Sequence, residues 1–366
     1  MYFGRALRNY GQAEQWNTNS GRRKALHVVR HIMKSFTIII ALTFTTSSYG
    51  QNKPADFGLR HFQTIYKGDT VDILVKSKKG DEQKKKPLFL FCQGSLPIPL
   101  IIKYTDSSGK EGIYNVFVFN PDSLSNEYHL AIINKPYVPL IVGQKFLNRD
   151  LTYSDSTGKF PRKYIERNLL DYYVDRDIAV IRFLQNQLWV SSDKLVVAGH
   201  SEGSTIAAKI AYSFPKVTRL IYSGGNPCGR IVTMIEQQRA FESDTAKYGE
   251  QAFDKWKTII DDSNNMDASN GDTNKATYEF SIPPINYLEK LKIPVLITYG
   301  TKDYSCPFND YFRVQMMKQR RANFTFRAYV GVEHNFFPLK ANGETNFEIF
   351  NWDKVADDWR NWLKKP

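Results

Sequence analysis

Cysteine is scarce in this 366-residue sequence: Cys92, Cys228 and Cys306 are all there is. No pair of them has the spacing of a metal clamp, which excludes a thiolate zinc site. An odd number leaves at least one thiol free. Cys228 and Cys306 both fall in loops after predicted strands, which leaves room for one pairing. Histidine is nearly as sparse, with six residues, and that shortage narrows any search for a general base. No internal repeat is visible, which sets aside solenoids and propellers. The apolar stretch 36–44 is too short to span a bilayer, so no stable membrane span is expected in the mature chain.

The sequence is not short of apolar residues or of positive charge. Hydrophobic residues make up 42% of the chain, enough for a large core and too many for a disordered chain. The formal net charge is +13, which by itself suggests a nucleic-acid or anionic-membrane partner. Residues 1–50 account for much of it, with seven Lys or Arg against the single acid Glu14, leaving +7 for the remainder. Lys34, the apolar run 36–44 and the small residues Ser48 and Gly50 have the order of a secretory signal, with a cut between Gly50 and Gln51. Residues 1–32 then read as an over-long start or a leader, and 51–366 as the folded part. No aromatic-basic patch supports nucleic-acid binding. The lysines between 76 and 86 are broken by Gly80, Asp81 and Glu82 and read as a solvated turn.

From residue 71 onward, strand-like and helix-like patterns alternate. Runs 71–75, 88–92, 114–119, 130–133, 194–198, 220–222, 293–299 and 324–330 read as strands. Several are apolar throughout, as strands buried on both faces are. Leu170, Val174, Ile178, Ile181, Leu184 and Leu188 recur every three or four residues, predicting a helix over 163–188. Residues 141–162 read as an irregular surface excursion. A helix over 204–214 ends at Pro215, and an aromatic-rich helix closes the chain over 352–363. This alternation implies a mainly parallel sheet with helices on both faces. Residues 226–288 are too long for an ordinary connection and read as an inserted helical cap. Within it, Trp256 and nearby aromatics suggest an apolar lining. The acids of 261–275 lack the spacing of a calcium loop, and that stretch reads as mobile.

One motif carries chemistry. Gly199-His200-Ser201-Glu202-Gly203 stands between a buried strand and a helix rich in small residues. That is the setting of a nucleophile elbow, in which Gly199 and Gly203 permit the sharp turn and the close packing. A serine hydroxyl needs a base, and the base needs an orienting acid. His27 and His31 lie in the leader, His61 precedes the core, His129 starts a strand, and the side chain of His200 should turn into the packing. His334, after the last strand and beside Gly331, is the candidate base. Asp303, expected exposed at the tip of the turn after 295–299, is the candidate acid. Glu333 is a rival whose adjacency to His334 gives poor geometry. No cofactor or metal is required by this chemistry.

The order Ser201, Asp303, His334 resembles that of α/β-hydrolases over about 70–364, in the dienelactone-hydrolase-like and prolyl-oligopeptidase-like branches. The resemblance implies the α/β-hydrolase fold and an oxyanion hole of two backbone N–H groups. One belongs to Glu202. The other belongs to the loop Gln93-Gly94-Ser95, with Ser95 the candidate and Leu96 next to it, where many relatives have His-Gly. Taken with the export signal, it further implies an exported serine hydrolase acting on a small ester, thioester or amide substrate. The alternatives are a peptidase, although such chains usually carry a propeller ahead of the catalytic part, and a non-catalytic hydrolase-like binding protein.

Overall fold

The computed structural model describes residues 53–114, 116–269 and 271–365. Its main sheet has eight strands: β1 (Leu59–Tyr66), β2 (Asp69–Lys76), β3 (Lys86–Cys92), β6 (His129–Ile133), β8 (Val190–His200), β9 (Arg219–Ser223), β10 (Val295–Gly300) and β11 (Phe324–Tyr329). Their order is β1-β2-β6-β3-β8-β9-β10-β11. From β6 to β11 every pairing is parallel, while β2 runs antiparallel to both of its neighbours. A second sheet joins β4 (Ile101–Thr105) with β5 (Glu111–Ile113) and β7 (Ile141–Gly143).

The apolar strands are explained by two cores, one on each face. Leu88, Leu90, Leu195 and Val197 enter one core. It is covered by α2 (Leu170–Gln185), α3 (Glu202–Ser213) and α7 (Cys306–Lys318). Phe89, Phe91, Val196 and Ala198 enter the other, under α8 (Trp352–Leu363). Successive side chains of a strand point to opposite faces, so a strand covered twice has no polar positions to alternate with. Between β9 and β10 lie α4 (Arg230–Arg239), α5 (Tyr248–Asp261) and α6 (Asn274–Ser281).

Several local expectations are corrected. The helix over 163–188 is two, α1 (Arg162–Arg167) and α2. They are separated where Leu169 is extended and the Asn168 side chain accepts from the Tyr173 hydroxyl. Leu188 lies beyond α2 and is 95% exposed; buried Trp189 takes the inward place, with Phe62 stacked on its ring. Residue 114 and residues 116–119 are not in a strand. Phe117 and Phe119 reach the core as loop residues, packed on Phe91. The stretch 141–162 is not wholly irregular, since β7 pairs with β4, and His61 lies within β1 rather than before the core. All three cysteines are free thiols. Trp256 stacks on Tyr278 between α5 and α6. In the polar stretch 261–275, Asp272 is ion-paired and Thr273 caps α6. Among the described residues no helix is long and apolar enough to cross a membrane. The leader and signal, residues 1–50, lie outside the described residues.

Candidate active site

The turn from β8 into α3 is as sharp as its glycines suggest. Ser201 has φ 58 and ψ −130, a strained conformation for a residue with a side chain. The Ser201 N–H donates to the carbonyl of Ser223 at 2.9 Å, on the adjacent strand β9. A Cβ on Gly199 would meet the Gly203 carbonyl oxygen at 2.0 Å, and one on Gly203 would meet the Cys92 carbonyl oxygen at 2.1 Å. Glycine at both places is therefore a steric necessity. Gly203 brings α3 directly against the end of β3 and so beside the loop that holds Ser95. Glu202 is the first residue of α3, where an N–H has no intrahelical acceptor. Ser95 is half-buried, and its carbonyl accepts from the buried Tyr164 hydroxyl at 2.9 Å.

His334 and Asp303 meet. The Nδ1 of His334 donates to Oδ2 of Asp303 at 2.8 Å, which assigns any proton transfer to Nε2. The side chain of Asp303 is 2% exposed and that of His334 33%. The expectation of an exposed turn aspartate is thus corrected: the carboxylate faces inward, where it also accepts the Ser305 N–H. Burial pushes the Asp303 carboxyl up, but the neighbouring imidazole and the donated hydrogen bonds outweigh it and hold the pKa below the ordinary carboxylate value. Glu333 does not compete, because its Oε1 takes the N–H groups of Asn335 and Phe337. It braces the loop that carries His334.

His200 joins that loop to the elbow. Its ring is buried, 4.9 Å from the ring of His334 and edge-on to Trp352 at 4.7 Å. One ring nitrogen lies 3.2 Å from the Ser223 hydroxyl and the other 3.2 Å from the side-chain oxygen of Asn335. Its side chain does turn into the packing, and the packing it enters is the back of the His334 loop. Burial first, and the His334 ring second, push its pKa down to about 3, so it is neutral at ordinary pH. Acid should therefore act through it. Between its ordinary value and about 3 the unfolded chain takes a proton that the fold refuses, so stability falls as pH drops through that window. The full loss is on the order of 5 kcal/mol. His200→Gln should flatten the fall, read from denaturant midpoints between pH 7 and 4; equal slopes in both proteins would exclude His200 as the source.

The surroundings of Glu202 were not read from the sequence. Its buried carboxylate pairs with Lys135 at 3.4 Å and with Arg230, and Arg230 also binds Asp272 at 2.8 Å. A lysine two residues past the apolar run of β6 was the available signal for Lys135. A charge at the carboxyl end of a buried parallel strand faces the region where ligands bind. Among the described residues no group of three or more His, Cys, Asp or Glu side chains could hold a metal.

A family model, that of the prolyl oligopeptidase family, matches residues 154–354. No curated protein matches the chain in sequence. Among solved structures, the acylaminoacyl peptidase of Pyrococcus horikoshii is similar at 16% identity with a TM-score of 0.50, over 84% of this chain and 42% of its own. A putative dipeptidyl aminopeptidase IV from Bacteroides ovatus is similar at 12% identity and a TM-score of 0.50, over 84% of this chain and 35% of its own. Est1E from Butyrivibrio proteoclasticus is similar at 15% identity and a TM-score of 0.47, over 83% of this chain and 99% of its own. The chain thus spans only about two fifths of the length of the two peptidases or less. What is shared is the α/β-hydrolase fold.

Proposed function

Because this chain belongs to the prolyl oligopeptidase family of serine hydrolases, we propose that it cleaves a carboxylic ester, or a thioester or amide, through an acyl-enzyme on Ser201. The observation that carries this reading is the 2.8 Å pair of Asp303 and His334 beside an elbow whose serine sits at φ 58. In this mechanism the hydroxyl of Ser201 attacks the carbonyl and His334 takes its proton. Asp303 holds the ring in the tautomer that exposes Nε2 and balances its charge once protonated. The N–H groups of Glu202 and Ser95 receive the oxyanion. His334 then protonates the leaving group, and water, deprotonated by the same ring, releases the acid. No cofactor takes part. Residues 226–288 serve as a cap over the carboxyl edge of the sheet. Residues 33–50 serve as an export signal, placing the mature protein in the periplasm or outside the cell.

An ester is favoured over a peptide with a free N-terminus by the state of Glu202. An aminopeptidase site needs a carboxylate to hold the substrate's ammonium, and the acid next to the nucleophile is already taken by Lys135 and Arg230. Membership of the family favours the second reading, a peptidase. Exported protein, whose mass also reports the cut after Gly50, is assayed on p-nitrophenyl esters of increasing chain length and on aminoacyl p-nitroanilides. The expected result is a kcat/KM at least about tenfold higher on an ester. The opposite ranking makes the protein a peptidase, and no turnover of either class leaves a binding protein.

A further inference from the structure

Glu202 poses an electrostatic problem that rests on the reading just given. Its N–H is placed to receive the negative charge that develops on the substrate oxygen. Its own side chain carries a negative charge no more than one side chain's length away. Two like charges in a site shielded from water repel strongly, and an uncompensated carboxylate there would oppose the reaction that the N–H favours.

We propose that Arg230, with Lys135, is the counter-charge that neutralises Glu202, and that Arg230 is thereby a positioning residue which makes the oxyanion site competent only while the cap is seated. The side chain of Glu202 is 2% exposed and bonded through both oxygens, Oε1 to Lys135 and Oε2 to Arg230. The two cations come from different parts of the fold. Lys135 follows β6 in the core, is itself 3% exposed and lies over the Tyr173 ring at 4.6 Å. Burial pulls its pKa down against the attraction of Glu202. Arg230 begins α4 in the inserted region, and a guanidinium keeps its charge when desolvated.

Three contacts fix Arg230 from the cap side. Its Nη1 donates to Asp272 at 2.8 Å, its guanidinium covers the Phe280 ring at 4.9 Å, and the preceding Gly229 lies against Ser281. Asp272 in turn lies 3.4 Å from the amide of Asn168, at the break between α1 and α2. Arg230 is thus the one member of the group that touches both the elbow and the segments of the insertion. A movement of the insertion that withdrew it would leave Glu202 with Lys135 alone.

The test is a charge cycle in the full chain, with p-nitrophenyl acetate as substrate and the thermal midpoint recorded for each variant. Arg230→Met should lower kcat by about 10- to 100-fold with little change in KM, the scale of weakening one oxyanion interaction. Glu202→Gln in the same chain removes the charge that Arg230 offsets, so the double variant should recover most of the lost kcat. Arg230→Lys, which keeps the charge and the fold's demand for a long side chain, should stay close to the parent protein. A double variant as slow as Arg230→Met, or Arg230→Lys as slow as Arg230→Met, would show that shape and not charge is at stake and overturn the proposal. A loss confined to KM would make Arg230 a substrate contact and overturn it too. Failure of the unmutated protein to turn over any ester, by contrast, would remove the hydrolase reading itself.

Discussion

Ser201→Ala should abolish ester turnover and covalent labelling by a fluorophosphonate while leaving the fold in place. Loss of the nucleophile from a serine–histidine–acid set costs on the order of 10⁴- to 10⁶-fold in kcat, with a residue of activity owed to the oxyanion donors. The fold should tolerate the change for a local reason. The strain at φ 58 is borne by serine already, and alanine, with a Cβ of the same kind, adds none. The hydroxyl is also not the feature that shapes the turn. The Ser201 backbone N–H bonds to Ser223, and its carbonyl accepts from the N–H and the hydroxyl of Ser204. Circular dichroism and the thermal midpoint should therefore match the parent protein. Labelling that persists in Ser201→Ala would put the nucleophile elsewhere and dissolve the triad.

Gly203→Ala should do the reverse, damaging both the fold and the activity. A methyl group there would stand 2.1 Å from the Cys92 carbonyl oxygen and 2.6 Å from that of Gln93. Both are backbone atoms at the end of a central strand, so neither can rotate away as a side chain could. Relief requires α3 to lift off β3 or the loop 93–95 to shift, and either separates the two N–H groups assigned to the oxyanion. The expected cost is about 3–5 kcal/mol of stability, the range of severe overpacking and strain. Gly331→Ala is the control. Its φ is +77, but nothing lies within 4 Å of the added methyl, so only the backbone penalty of about 1–2 kcal/mol applies. Denaturant midpoints of the two variants give the comparison; equal losses would mean that the close approach of α3 to β3 is not what Gly203 is for.

The two predictions depend on different kinds of information. The elbow was legible because its requirements are local: a buried strand, a serine between glycines and a helix of small residues lie within a few residues of one another. The order of Ser201, Asp303 and His334 was legible because each follows a strand, and strands announce themselves by apolar runs. Those runs also gave the parallel sheet, since burial on both faces leaves its mark on every position. The reading failed where an apolar residue's destination depends on a turn, as at Leu188, and where loop aromatics mimic a strand, as at Phe117 and Phe119.

By itself, then, the sequence determined the fold class, the elbow and the meeting of Asp303 with His334. Only the tertiary structure decided that Asp303 is buried, that His200 backs the His334 loop, and that the carboxylate of Glu202 is held by two cations. Lys135 and Arg230 lie 67 residues before and 28 residues after Glu202. No spacing rule links them, because their meeting depends on which strands are neighbours in the sheet and on how the segment between β9 and β10 packs against the start of α3. Electrostatic partners are chosen by distance in space, and the periodicities of a chain report only which face a residue turns to its nearest neighbours.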